Sequence, residues 1–116
     1  MVAAYKLWQE TFRLFPKMLK YSLGIKIDAL MVEIIESISA AAFLPKEEKA
    51  PWIRRSIIKL DTMKVLLQVA WEIKSFDEKK YIHLSDPLSE VGRMLGGWYG
   101  QAAKQNSPNQ RRIGEK

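Results

Sequence analysis

The chain has no cysteine and one histidine, His83, in 116 residues. Without cysteine there is no disulfide framework, no thiolate metal site and no cysteine nucleophile, and a reducing cytoplasm is the expected compartment. A lone histidine beside an apolar helical face is structural or solvated far more often than catalytic. The arginine-then-histidine pair of some small helical ribonucleases is missing, since no arginine closely precedes His83. No glycine-rich loop follows a strand pattern, and no carboxylate–histidine cluster has metal-ligand spacing. No enzyme, cofactor or metal is therefore expected. Long apolar runs are absent too. None approaches the roughly 18 residues that span a bilayer, and Met1-Val2-Ala3-Ala4-Tyr5-Lys6 lacks the layout of a signal peptide, so no membrane role is expected. An aromatic-interleaved single-strand platform and a helix-turn-helix are also absent, which removes base-specific reading of nucleic acid from the expectations.

What is present is a basic helical domain. The hydrophobic fraction is 47% and the formal net charge +6. The excess is segregated: Lys6, Arg13, Lys17, Lys20 and Lys26 stand against Glu10 near the start. Arg54, Arg55, Lys59 and Lys64 stand against Asp61 in the middle, and Arg93, Lys104, Arg111, Arg112 and Lys116 against Glu115 at the end. Residues 27–48 are acidic instead. Such segregation points to a polyanionic partner, with a merely solvated charged surface as the alternative.

Apolar periodicity predicts four helices. The first carries Tyr5, Trp8 and Phe12 on one face and stops before Pro16. Pro16 opens the second, which runs to about Phe43 with Leu23, Ile27, Leu30, Ile34, Ile38 and Ala41 as its core stripe. Leu44 to Lys49 reads as a turn. Pro51 opens the third helix, cored by Ile53, Ile57, Leu60, Leu67 and Trp71. Ser75-Phe76-Asp77-Glu78 has capping-box spacing and starts the fourth. The apolar frame Tyr81, Leu84, Leu88, Val91, Leu95, Trp98 crosses Pro87 without a slip, so one kinked helix is expected rather than a new start there. Residues 105–116 are polar and basic and are expected to be a disordered tail. Short connections favour antiparallel neighbours, hence an all-α up-down-up-down four-helix bundle over residues 1–104.

Two features of these helices bear on function. The third carries a second apolar stripe, Ile58, Val65, Val69 and Ile73, opposite its core face, and the second helix has a wider apolar arc through Met31, Ile35 and Ala42. A small bundle needs one stripe per helix, so the extra one predicts self-association. The bases are also oddly placed, with Lys17 and Lys20 in the first turn of the second helix and Arg54 and Arg55 in the first turn of the third. Cations at helix N-termini are disfavoured, and a bound phosphate would reverse that sign. Arg13, Lys17, Lys20, Arg54, Arg55, Lys59, Arg93 and Lys104 are accordingly the candidate residues for holding RNA or DNA by its backbone.

The most specific string is Glu90-Val91-Gly92-Arg93-Met94-Leu95-Gly96-Gly97-Trp98. Interior helix glycines cost roughly 0.5–1 kcal/mol each relative to alanine. Gly92, Gly96 and Gly100 fall on one stripe, which suits a close approach, so Gly92 and Gly96 join the candidate oligomer interface. With Phe15-Pro16-Lys17 and Leu23-Gly24 in order before it, this string resembles the Avd-like family, the accessory proteins of diversity-generating retroelements, over roughly residues 5 to 103. Tyr21 departs from the pattern, in place of a second basic residue. The resemblance implies a four-helix bundle assembled as a ring of five, a reverse transcriptase partner, and template RNA or its cDNA duplex as the nucleic acid. It implies no catalysis, only support of mutagenic cDNA synthesis. A four-helix protein of the ribosomal RNA intervening-sequence type, or a purely structural oligomer, are the other readings, both without a reverse transcriptase.

Overall fold

The computed structural model describes residues 1–106, and all elements among them are helical. Helix α1 spans Val2–Arg13. Helix α2 begins with an α-helical turn at Lys17–Leu19, passes through a π-helical turn at Lys20–Gly24 and continues as α-helix over Ile25–Phe43. Helix α3 is Lys46–Glu72 and α4 is Glu78–Asn106. The expected tail lies outside the described residues from 107 onward. No described helix is long and apolar enough to cross a membrane.

The described residues form a rod of 57 × 22 × 20 Å, in which α3 lies in the middle, packed against both α2 and α4. Antiparallel register is marked by Lys59 Nζ on Glu33 Oε1 at 3.2 Å and by Lys49 Nζ on the Ala41 carbonyl at 2.7 Å. The second contact also satisfies a carbonyl at the end of α2, where cations are favoured. Helix α1, at 12 residues, is about 18 Å long, whereas the 27 residues of α3 extend about 40 Å. It therefore covers only one end of the rod, where it packs on α4.

That end is locked by aromatic rings. Trp8 stacks on Phe12 at 5.3 Å and meets Phe15 edge-on, and Phe15 stacks on Phe76 from the α3–α4 connection at 5.5 Å. Beside them Trp71 stacks on Tyr81 at 4.6 Å. A polar hub pins α1 to α2. The Asp28 carboxylate accepts from Tyr5 Oη and Trp8 Nε1, both at 3.0 Å, and from Gln9 Nε2 at 3.2 Å. Burial, and then the Asp28 carboxylate beside it, raises the Tyr5 hydroxyl above its ordinary pKa of 10.0. Gly24 closes the π-helical turn because a Cβ there would stand 2.5 Å from Phe12 Cε1. The ring needs that space.

Several local expectations are corrected. Helix α3 starts at Lys46, not Pro51. Pro45 is its N-cap, Glu47 and Glu48 complement its dipole in the first turn, and Pro51 is carried inside the helix. Helix α4 is capped by Asp77 rather than Ser75: Asp77 Oδ1 accepts the Lys80 amide at 2.9 Å, while Ser75 Oγ is buried without a partner among the described residues. Of the expected wider apolar arc of α2, Met31 is fully buried and belongs to the core, whereas Ile35 is half-buried and Ala42 exposed. The core frame of α3 is Ile53, Ser56, Leu60, Met63, Leu67 and Ala70, with Ile57 and Trp71 half-buried at its edges. As expected, α4 is one helix through Pro87.

Candidate interaction surfaces

The register of α2 against α3 divides the candidate bases between the two ends of the rod. Arg13, Lys17 and Lys20 gather where α1 meets α2; the first two are exposed and Lys20 is half-buried. Lys17 and Lys20 lie in the first turns of α2, as expected. Arg54 and Arg55 are exposed near the opposite end, on the third turn of α3 rather than its first. The expected help from free backbone amides is thus lost there, because α3 starts five residues before Pro51. The guanidinium of Arg55 instead lies over the Trp52 ring, 4.3 Å from its centroid, which holds its plane flat on the surface. Pro51, Arg54, Arg55, Ile58 and Lys59 line a shallow concavity here. Lys59 is paired with Glu33 and Arg93 with Glu90, so these two are partly neutralised within the chain. Lys104 is exposed near the end of α4, at the same end of the rod as Arg54 and Arg55. Six candidates therefore fall at the two opposite ends of the rod, and the paired Lys59 and Arg93 lie between them.

The apolar candidates are placed more simply. Ile58, Val65, Val69 and Ile73 are all exposed along the outer side of α3, Val65 the most at 60%. Gly92 faces inward instead. A Cβ there would meet Lys64 Nζ at 3.3 Å and Leu60 Cδ2 at 3.4 Å, so its missing side chain serves the α3–α4 contact of its own chain. Gly96 has nothing within 4 Å of a Cβ position, and its bare backbone faces solvent.

A family model described as bAvd-like matches residues 4–102. The chain belongs to the bAvd-like family. The match covers every helix of the bundle nearly end to end, and the family supports an accessory role for the protein. Comparison with curated proteins and with solved structures returned no match. Within this bAvd-like chain one surface lies outside the expected sites. Met18, Tyr21, Ile25 and Val32 are exposed along the outer side of α2, Met18 at 86% and Tyr21 at 70%. The expectations from sequence covered only the core side of α2, although at 100° per residue these four fall within about 60° of one another on the opposite side. The signal that could have found them was the apolar character of Met18, Tyr21 and Ile25 among Lys17, Lys20 and Lys26.

Proposed function

We propose that this bAvd-like protein is the non-catalytic accessory protein of a diversity-generating retroelement. In this reading it is a homo-oligomer, five subunits in a ring, that binds RNA or cDNA duplex through phosphates and a reverse transcriptase through protein contacts. The family match over residues 4–102 carries the reading. Two further features support it: exposed bases clustered at both ends of the rod, and an apolar stripe on α3 that a monomer would leave in water.

The test of the nucleic-acid half is affinity for duplex DNA and for RNA at two salt concentrations. Binding is expected to ignore sequence and to weaken steeply with salt, because each neutralised phosphate releases counterions. Replacing Arg54 and Arg55 by Gln should lower affinity for all sequences alike and flatten the salt slope by about one unit per lost contact. Equal slopes for wild type and the double variant would remove this cluster from the phosphate surface. A reverse transcriptase gene is expected beside this one, and co-expression of the two should yield a co-purifying complex; its failure would remove the partner.

A further inference from the structure

Two exposed apolar stripes lie on different helices of the same subunit. On α2 it is Met18, Tyr21, Ile25 and Val32, and on α3 it is Ile58, Val65, Val69 and Ile73. Neither can meet the other within one chain. Core residues such as Ile34 and Leu60 fill the space between the helices, and Glu33 with Lys59 bridges the edge by which they touch. Each stripe is therefore a separate seam with water over it.

The two seams match level by level. Within the subunit, Glu33 lies level with Lys59 and Ala41 with Lys49. The same antiparallel register sets Met18 level with Ile73, Tyr21 with Val69, Ile25 with Val65 and Val32 with Ile58. Between the last two levels fall Ala29 and Thr62, both exposed and small enough to leave the seam continuous. Both stripes advance in steps of three, four and seven, so each keeps to one helical face that can pack along another helix. The flanking charges match in the same register. Near the α1 end α2 carries exposed Lys17, while α3 carries exposed Glu72; toward the other end the signs reverse together, with Glu36 on α2 level with Arg55 on α3.

We propose that the outer side of α3 in one copy packs antiparallel on the outer side of α2 in the next, repeating between subunits the register already used within each. This rests on the self-association reading and supplies its missing counter-surface. Such a contact joins two different patches, so it is heterologous and grows by rotation into a closed ring or an open filament. Because the levels align, all subunits point the same way, and both basic ends of every rod gather on the two rims of the assembly.

The cysteine-free chain makes the test direct. A double variant, Ile25→Cys with Val65→Cys, is treated with a short bifunctional thiol crosslinker that tolerates a small offset in register. The expected result is a denaturing-gel ladder in steps of 13.4 kDa, ending at the mass that light scattering gives for the native protein. Each single variant should give no crosslinked product. Covalent dimers from Val65→Cys alone would mean that α3 pairs with its own copy, and would overturn the proposal. An oligomer by light scattering whose double variant yields no ladder would overturn it also, leaving self-association intact. A 13.4 kDa monomer at micromolar concentration would overturn both. In a second arm, Glu72→Lys should shift the protein toward monomer, and adding Lys17→Glu should restore assembly. Restoration failing while Glu72→Lys stays folded would sink the charge register.

Discussion

The two ends of this rod are built differently. At one, four helices meet, Trp8, Phe12, Phe15 and Phe76 interlock, and Trp8 also donates to the Asp28 carboxylate, which accepts three hydrogen bonds. At the other, α1 has ended and only three helices continue. Their buried residues there include the small Ala41 and Ala102 beside Ile53, and between α2 and α4 Met1, Ile38, Val91, Met94, Leu95 and Trp98 line an open apolar cleft. Phe43, the last residue of α2, is 91% exposed. Stability is thus concentrated at the four-helix end. The three-helix end is the thinner half and opens first, since local opening follows the density of buried apolar contacts.

The comparison can be broken most directly with two aromatic truncations. Trp8→Ala removes a fully buried ring at the four-helix end and should cost about 3–5 kcal/mol, lowering the urea midpoint accordingly. Phe43→Ala removes a comparable ring at the other end and should change stability by less than about 0.5 kcal/mol. If the two costs were alike, the asymmetry between the ends would not be energetic.

How much of this was legible in the sequence differs by residue. The fold class and the continuity of α4 through Pro87 were legible, because an unbroken apolar frame over many turns outweighs one missing amide. The outer stripe of α3 was legible for the same reason. The start of α3 was not. Pro51 looked like a first-turn proline, but Pro45 with Glu47 and Glu48 provides a better start, and a proline one turn further in is tolerated. The choice between Ser75 and Asp77 as cap turned on tertiary packing, since the aromatic cluster draws Phe76 and its neighbour Ser75 into the interior. The outer side of α2 was obscured by the lysines that flank it, although Met18, Tyr21, Ile25 and Val32 share one helical face. Nor could the chain order alone show that the basic residues split between two ends, which depends on the register of α2 against α3.

A smaller effect sharpens the picture of the four-helix end. Asp28→Ala leaves the buried Trp8 indole N–H without its acceptor and strips the Tyr5 hydroxyl of the same partner. The expected cost is about 1–3 kcal/mol, the desolvation penalty of an unsatisfied buried donor. Asp28→Asn keeps a carbonyl acceptor and should cost less. Chemical denaturation of the two variants side by side checks this. Equal losses would mean that charge, not hydrogen bonding, holds α1 in place.

The smallest expected effect runs in the opposite direction, even at the better-packed end. Helix α3 closes with the Ser75 amide on the Ala70 carbonyl and the Lys74 amide on the Trp71 carbonyl, both at 2.9 Å. That pattern places the residue between them in the left-handed region, and Lys74 occupies it with φ of 65°. Glycine is the residue such a position favours, since a Cβ there crowds the following carbonyl at a cost of roughly 1 kcal/mol. Lys74 is exposed, so its side chain contributes little packing in return. Lys74→Gly should therefore stabilise the fold by up to about 1 kcal/mol, part of the relief being offset by the greater freedom of glycine in the unfolded chain. Thermal unfolding should show a rise of several degrees in Tm, on the order of 4 °C for a domain of this size. A fall in Tm would mean that the lysine makes an interaction worth more than the strain it carries, and would place a functional contact at the turn between α3 and α4.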